Sequence, residues 1–213
     1  MALMHRFFTA PKTWLLQVER EPGVLDFALE VQPEGKALVC FLSPVDAHIE
    51  GLMRAKPGMR YYVNDAWAAH ETWFLREPGL LMAFLHLAWV SQSGRMLSRP
   101  SGAPCRYFRP LHKSVEGDGP FTFDVDAGSL EVVDRLHEQA GLFAWRETVS
   151  HETSRAAWMQ RQELERHQKL ADQAVRSARV MTRPESRPGE ELMLFDPEFR
   201  QWHTVSREAA ETT

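Results

Sequence analysis

The stretch ALVCFLSPVDAHIEGLMRAKPG, residues 37–58, contains the clearest structural pattern in the chain. It opens with an unbroken apolar run, 37–42, which is typical of a strand buried on both faces. Ser43 and Pro44 follow, and this pair is a common helix start because the serine side chain caps the first turn and proline needs no amide hydrogen there. Apolar residues then recur at helical spacing until Lys56-Pro57-Gly58 ends the pattern. The stretch therefore predicts a central strand followed directly by a helix.

Upstream of this unit, the sequence predicts a β-hairpin. Residues 14–19 form one strand, and Arg20-Glu-Pro-Gly23 has the composition of a type II turn. In the next segment every second residue is apolar, which predicts a strand with that face buried. The apolar residues of this face are Leu25, Phe27, Leu29 and Val31.

A second Arg-Glu-Pro-Gly sequence, residues 76–79, also lies between apolar segments. It is either part of a duplicated hairpin or the same favourable turn sequence found twice, and both interpretations stay open. Residues 80–90 after it are apolar almost throughout. Periodicity does not distinguish a buried strand from a buried helix in such a run.

The C-terminal half predicts a strand, a helix, a second strand and a long helix. Residues 121–126 alternate in polarity, 129–140 have helical spacing, and 142–149 have the pattern of a strand. Residues 151–181 are rich in Ala, Arg, Gln, Glu and Lys with only a thin apolar stripe, which favours a surface helix. From residue 182 onward, prolines and glycine break the helix and predict a flexible tail.

These elements predict an α+β fold. The expected architecture is an antiparallel, hairpin-rich sheet of six or seven strands with two short helices packed on one face. A long C-terminal helix and a flexible tail complete it. The predicted boundaries are 1–150 for the α+β domain, 151–181 for the helix and 182–213 for the tail.

The composition is ordinary for a globular protein, with 44% hydrophobic residues, 25% charged residues and a net charge of −4. A chain of 213 residues can bury a core of normal size, so it needs no metal or disulfide for stability. Cys40 and Cys105 are expected to be reduced thiols. No secretory pattern is found near the N-terminus, and no apolar run reaches the ~20 residues of a membrane span. We therefore expect a cytoplasmic protein that makes no membrane contact.

The common catalytic and cofactor motifs do not occur in the sequence. Paired histidines at HExxH spacing, CxxC pairs, phosphate-binding glycine loops and GxSxG are all missing. No catalytic residue, metal or cofactor is therefore predicted. An enzyme is the alternative if histidines that are distant in sequence meet in the fold. The histidines considered for such a site are His48, His70, His86 and His112.

One central segment is strongly basic. Residues 78–115 contain five Lys or Arg and no acidic residue, a charge of +5 within an acidic chain. Arginines pair with phosphates through planar donors, and interleaved aromatic rings can stack on bases. The segment predicts a flexible loop that binds nucleic acid, unless its arginines neutralise the acidic helix 129–140 or the tail. The predicted nucleic-acid-binding residues are Arg95, Arg99, Arg106, Tyr107, Phe108, Arg109 and Lys113.

The predicted tail carries four adjacent apolar residues, 192–195. Glu191-Leu-Met-Leu-Phe195 resembles the pentapeptide, commonly Gln-Leu-x-Leu-Phe, by which many bacterial replication and repair proteins bind the sliding clamp. The resemblance covers five residues, and Glu191 departs from it because a carboxylate lacks the donors of glutamine. The predicted partner-docking residues are Glu191, Leu192, Leu194 and Phe195. The alternatives are docking on the protein's own surface, on a second copy or on another partner.

These features predict a non-enzymatic bacterial accessory or adaptor protein. It would bind DNA through the basic–aromatic loop and a protein partner through the tail. The resemblance implies a role in DNA replication or repair, with the sliding clamp as partner. The alternative is a purely protein-binding module, such as an immunity protein whose negative surface covers a basic toxin. The oligomeric state does not follow from the sequence.

Overall fold

The computed structural model of the chain describes residues 5–21, 23–33, 35–67, 69–117, 120–156, 160–183 and 191–211. Within these residues the fold is mixed α+β, as predicted, and strands dominate it. The strands are β1 (Arg6–Phe7), β2 (Trp14–Glu21), β3 (Val24–Phe27), β4 (Leu29–Gln32), β5 (Gly35–Phe41), β6 (Arg60–Asp65), β7 (Leu75–Glu77), β8 (Leu80–Gln92), β9 (Arg95–Ser98), β10 (Arg106–Ser114), β11 (Thr122–Phe123), β12 (Val180–Thr182), β13 (Glu191–Asp196) and β14 (Gln201–Ser206).

The helices lie between and outside these strands. The described residues contain α1 (Pro44–Arg54), α2 (Ala127–Gln139), α3 (Trp145–Ala156), α4 (Gln160–Ser177) and the short α5 (Glu208–Glu211), with a 3-10 turn at Glu71–Trp73. None of these helices is both long enough and apolar enough to cross a membrane.

Strand β8 is the centre of the main sheet and resolves the ambiguous apolar run as a strand. It pairs antiparallel with β10 along one edge, while β5 pairs with it in parallel and β13 antiparallel. Residues 81–91 of β8 are buried without interruption. A strand covered on both faces is apolar at most positions, which explains why its sequence shows no alternation.

The β5–α1 unit confirms the prediction from residues 37–58. The backbone amide of Val45 donates to the Ser43 side chain at 3.1 Å, and Pro44 occupies the first turn of α1. Val45 and Ile49 are each at most 1% exposed, so this face of α1 packs into the core. The helix ends at Arg54, just before the predicted stop.

The two faces of β5 are covered by different helices. Leu38 and Cys40 belong to the core that contains α2, whereas Val39 and Phe41 pack beside Ala47 of α1. Neighbouring residues of a strand point to opposite faces, so α1 and α2 lie on opposite sides of the sheet. The prediction that two short helices pack on one face is therefore wrong. Helix α4 joins α1 on its side of the sheet.

The predicted long C-terminal helix is described in two segments, α3 and α4. Helix α3 begins at Trp145, inside the predicted strand 142–149, and α4 ends at Ser177. Residues 157–159, which the prediction placed inside one continuous helix, lie outside the described residues. The predicted strand 142–149 is wrong because its apolar residues sit in a turn and in the first turns of α3.

Strands β3 and β4 confirm that this segment is extended. The face that was predicted to be buried is, however, the exposed one. Leu29 is 37% exposed and Val31 is 69% exposed, whereas Ala28 and Glu30 are 5% and 2% exposed. Alternation gives the period of a strand correctly but does not show which face the rest of the chain covers. In this strand a glutamate points inward and a valine points outward.

The last described segment is part of the main sheet. Strands β13 and β14 form an antiparallel hairpin, and β13 also pairs with β8 from Glu191↔Ser91 to Met193↔Trp89. The predicted flexible tail is therefore wrong for residues 191–206. The flank 184–190, which was predicted to be flexible, lies outside the described residues.

Candidate functional site

The basic segment is built from two strands, β9 and β10, so the predicted flexible loop is wrong. Arg106, at the start of β10, has a fully buried side chain. Its guanidinium pairs with Glu30 of β4, and its Nη1 atom lies 2.9 Å from Oε1 of Glu50 on α1. A buried charge is tolerated only when it is paired, and here one arginine lies between two buried carboxylates.

Two further arginines complete this ion cluster. Arg99 pairs with Glu30, and Arg54 pairs with Glu50 within α1. Burial opposes ionisation of Glu30, but Arg106 and Arg99 more than offset it and hold the pKa of Glu30 below its usual value. Burial also lowers the pKa of Arg106, and Glu50 and Glu30 oppose this effect. The cluster therefore matches the alternative in which the arginines neutralise acids of the same chain, although those acids are Glu30 and Glu50.

Several of the other predicted nucleic-acid residues also contact groups of the same chain, and Arg106 itself lies over the ring of Phe108, with 4.8 Å between the guanidinium carbon and the ring centroid. Arg207 lies over the ring of Tyr107, with 5.3 Å between the guanidinium carbon and the ring centroid. Phe108 is half-buried, 5.8 Å from the ring of Phe84. The remaining three residues of the set are Arg95, Arg109 and Lys113. Arg95 is exposed, and Lys113 donates to the carbonyl of Thr122. Burial opposes ionisation of Asp126, but hydrogen bonds from Ser129 and, to a smaller extent, the charge of Arg109 lower its pKa.

The predicted docking peptide forms strand β13 in the core. Leu192 is fully buried, Leu194 is 4% exposed and Phe195 is 6% exposed. The side chain of Glu191 accepts a hydrogen bond from the amide of Gly94 at 3.0 Å. This arrangement matches the alternative in which the apolar residues dock on the protein itself. The sequence resemblance to the clamp-binding pentapeptide thus coincides with the pattern of an interior strand.

The four histidines considered for an enzyme site do not form one cluster. His48 and His86 are buried in α1 and β8, whereas His112 is exposed on β10 and His70 caps the 3-10 turn. Burial lowers the pKa of His86 well below its usual value, and Arg106 adds to this effect. Across the described ranges, no group of three or more His, Cys, Asp or Glu side chains is arranged to hold a metal.

A groove of about 550 Å³ lies between three turns that are distant in sequence. Its walls are the start of α1, the turn between α2 and α3, and the turn between β13 and β14. The lining residues that matter for its chemistry are the aromatic residues Phe143, Trp145, Phe195 and Phe199 and the acidic residues Asp46, Asp196 and Glu198.

The turn after α2 holds Phe143 at the rim of the groove. Gly141 ends the helix with a positive φ of 77°, a conformation that glycine adopts without strain. Its amide donates to the carbonyl of Glu138, and the amide of Leu142 donates to that of His137. This double hydrogen bond fixes the turn and leaves Phe143 77% exposed.

The turn between β13 and β14 holds a second exposed ring opposite the first wall. A side-chain oxygen of Asp196 accepts from the amides of Glu198 and Phe199 at 2.8 and 3.1 Å. His203 lies 3.6 Å from the other oxygen of Asp196. These contacts fix the turn, and Phe199 is 71% exposed at its tip.

Trp145 and His137 form the apolar wall between α2 and α3. Their ring centroids are 4.9 Å apart, and the indole nitrogen of Trp145 donates to Asp134 at 3.0 Å. Burial lowers the pKa of His137 to about 4, and a contact of 2.9 Å between Nδ1 and the carbonyl of Val133 opposes this effect. His137 is therefore neutral near pH 7 and adds no positive charge to the groove.

The lining combines aromatic surface with negative charge. Three carboxylates line the groove, and its described lining residues include no lysine or arginine. An apolar side chain can enter such a site, while a neighbouring positive charge meets the carboxylates. No known protein family, curated protein sequence or solved structure shows significant similarity to the chain.

The groove was missed by sequence reasoning because its walls are turns separated by up to about 150 residues. The signal in the sequence was local: Phe143 follows a helix-ending glycine, and Phe199 follows Asp196-Pro197 in a polar segment. Such residues could have been singled out as candidates for an exposed surface.

Proposed function

We propose that the protein is a non-enzymatic protein-binding module that holds an apolar, basic segment of a partner protein in this groove. The observation that carries the proposal is the composition of its lining. Two largely exposed phenylalanines face a site with three carboxylates and no lysine or arginine among its described lining residues. Aromatic anchors supply much of the energy of protein interfaces, and charge selects the partner.

The rigidity of both rims supports this proposal. Phe143 and Phe199 sit on turns that are each closed by two hydrogen bonds, so neither ring needs a new backbone conformation to meet a partner. Binding then costs less ordering entropy than it would on a mobile loop. Exposed rings held in place without an internal packing role are expected at a binding surface.

The net charge of −4 favours a basic partner, because long-range attraction speeds the encounter. An immunity protein that covers a basic toxin is one specific form of this function. The buried position of Arg106 gives no comparable support to nucleic-acid binding, since this guanidinium already pairs with two carboxylates of its own chain.

Selection of peptides from a random phage-displayed library tests the proposal without assuming a partner. The wild-type protein is the bait, and a Phe143→Ser/Phe199→Ser double variant is used to remove phage that bind elsewhere. We expect the enriched peptides to carry one aromatic or large aliphatic residue flanked by Lys or Arg. Anisotropy of a labelled selected peptide should then show at least tenfold weaker binding to the double variant.

A matched control is Val31→Ser, which changes an exposed apolar residue on a different surface. It should bind the peptide as the wild type does. Glu198→Lys should weaken binding several-fold at low salt and less at high salt, because exposed charges are screened. Enrichment of acidic peptides, or equal binding by the wild type and the double variant, would contradict the proposal.

A further inference from the structure

One face of the main sheet leaves an apolar surface uncovered. By alternation Leu25, Phe27, Leu29 and Val31 point to the same side of β3 and β4. Leu25, Leu29 and Val31 are 48%, 37% and 69% exposed, and Phe27 is partly buried. We call this row the open strip, and it shares no residue with the groove.

Two aromatic residues widen the open strip. The ring of Trp73 lies 4.2 Å from that of Phe27 and is 37% exposed. Tyr62 is 41% exposed and lies opposite Gln17, which in turn lies opposite Phe27, so it shares this face. Together these residues expose on the order of 500 Å² of apolar surface, near the upper end for a monomer and more than half of the ~800 Å² that one partner of a standard interface buries.

The charges at the two ends of the strip have opposite sign. Glu19 lies directly opposite Leu25 at one end and is partly exposed, and its carboxylate accepts hydrogen bonds from the amide of Gly23 and the hydroxyl of Tyr62. Lys36 lies directly opposite Val31 at the other end and is also exposed. A two-fold axis through the middle of the strip reverses its direction in the second copy. Each glutamate then meets the lysine of the other copy.

We infer that the open strip is the interface of a homodimer, in which two copies pack sheet against sheet. Sheets pack face to face at about 10 Å through interdigitating apolar side chains, and the strip provides such a row. The self-complementary charges identify a second copy of this chain as the occupant, because an isologous interface requires the same patch to complement itself.

Sedimentation velocity of the full chain over a concentration series tests this interface. The wild type should dimerise within the micromolar range, and Val31→Asp should raise the dissociation constant at least tenfold. Val180→Asp, which places the same charge at an exposed valine of β12, is the matched control and should leave dimerisation unchanged. Thermal unfolding of each variant at low concentration verifies that the protomer still folds.

Charge exchange separates a homodimer from a surface for another protein. Glu19→Lys and Lys36→Glu should each weaken dimerisation, because each places like charges together. An equimolar mixture of the two single variants should dimerise again, since the lysines of one copy meet the glutamates of the other. A wild type that stays monomeric at ~100 μM, or a mixture that does not regain association, would overturn the inference while leaving the groove proposal intact.

Discussion

The two faces of the sheet at β4 reverse the usual distribution of polarity. On the face covered by α1, Glu30 is 2% exposed and Arg106 is 7% exposed. On the opposite face, Leu29 and Val31 are 37% and 69% exposed. One strand thus buries a carboxylate and leaves a valine in water. Hydrophobicity alone would place these side chains the other way round.

The covered face of β4 carries a glutamate with ionic partners, and the more hydrophobic side chains of the strand lie on the other face. Charge pairing, and not the hydrophobicity of the strand, therefore correlates with which face is covered. Glu30 meets Arg106 and Arg99, and Glu50 of α1 completes the cluster. Buried ion pairs add little net stability, but their partners are expensive to remove, so they discriminate strongly between alternative packings. The covered face is therefore sensitive to single substitutions, whereas the open strip should tolerate them within the protomer.

The largest effect is expected from Arg106→Met, which removes the central charge of the cluster. Glu30 and Glu50 would then lose the buried guanidinium between them and keep only the more exposed Arg54 and Arg99 as partners. We expect the free energy of unfolding to fall by about 4 kcal/mol, within the range measured for broken buried pairs. Urea denaturation followed by circular dichroism measures this change.

Arg95→Met is the control for this variant, because Arg95 is exposed and lies in the same basic segment. Its effect should stay within about 0.5 kcal/mol. If Arg106→Met and Arg95→Met had equal effects, charge pairing would not hold the covered face together. Replacement of Glu30, Glu50 and Arg106 together by apolar residues should cost less than Arg106→Met alone.

The β5–α1 unit could be predicted from the sequence because its signals are local. The cap at Ser43, the proline after it and the apolar run before it each act within a few residues. The strand character of residues 25–31 was equally accessible, since alternation is a property of the segment itself. Which face is covered depends on α1 and on Arg106, which lie far away in sequence, so alternation could not reveal it.

The candidate site was not predictable for the same reason. Arginines next to aromatic residues have the same local pattern whether they meet a phosphate or a carboxylate of the same chain. The apolar residues 192–195 likewise look identical as a docking peptide and as an interior strand. Strand β13 pairs with β8, which lies far away in sequence. The adjacent flank, 184–190, gave no sign of this pairing.

The second prediction compares two phenylalanines on one hairpin. Phe195 is 6% exposed beside Trp202, with ring centroids 5.2 Å apart, whereas Phe199 is 71% exposed. Phe195→Ala should lower the free energy of unfolding by about 3 kcal/mol, because it removes a buried ring and leaves a cavity. Phe199→Ala should change it by less than about 0.5 kcal/mol.

Chemical denaturation of the two variants under identical conditions measures the difference. A peptide tail that only docks on other proteins would make both substitutions neutral. The structure instead predicts that the urea midpoint of Phe195→Ala falls by the lost free energy divided by the denaturant slope, about 1–3 M, while the midpoint of Phe199→Ala stays near that of the wild type. Equal midpoints for both variants would contradict the placement of β13 in the core.

The smallest expected effect is a loss of stability in acid, and it comes from two buried histidines where α1 packs against α4. His48 is 1% exposed, its ring is 6.5 Å from that of His167 and 5.8 Å from that of Tyr61. Burial lowers the pKa of both histidines to about 4, and the proximity of His167 further lowers that of His48, while Glu163 opposes the effect at His167. Both rings are therefore neutral in the folded protein near pH 7.

The sign of the pH dependence follows from these values. An unfolded histidine, with a pKa near 6.5, takes up a proton before the folded one does, so stability is lost as the pH falls from 6.5 toward 4. For one histidine the loss between pH 7 and pH 5 is about 2 kcal/mol. His48→Leu should shrink the measured loss by that amount, and His112→Leu, at an exposed position, should leave it unchanged. Denaturation midpoints at pH 7, 6 and 5 give the comparison. If His48→Leu and the wild type lost stability equally in acid, the covered face would not hold His48 in its neutral form.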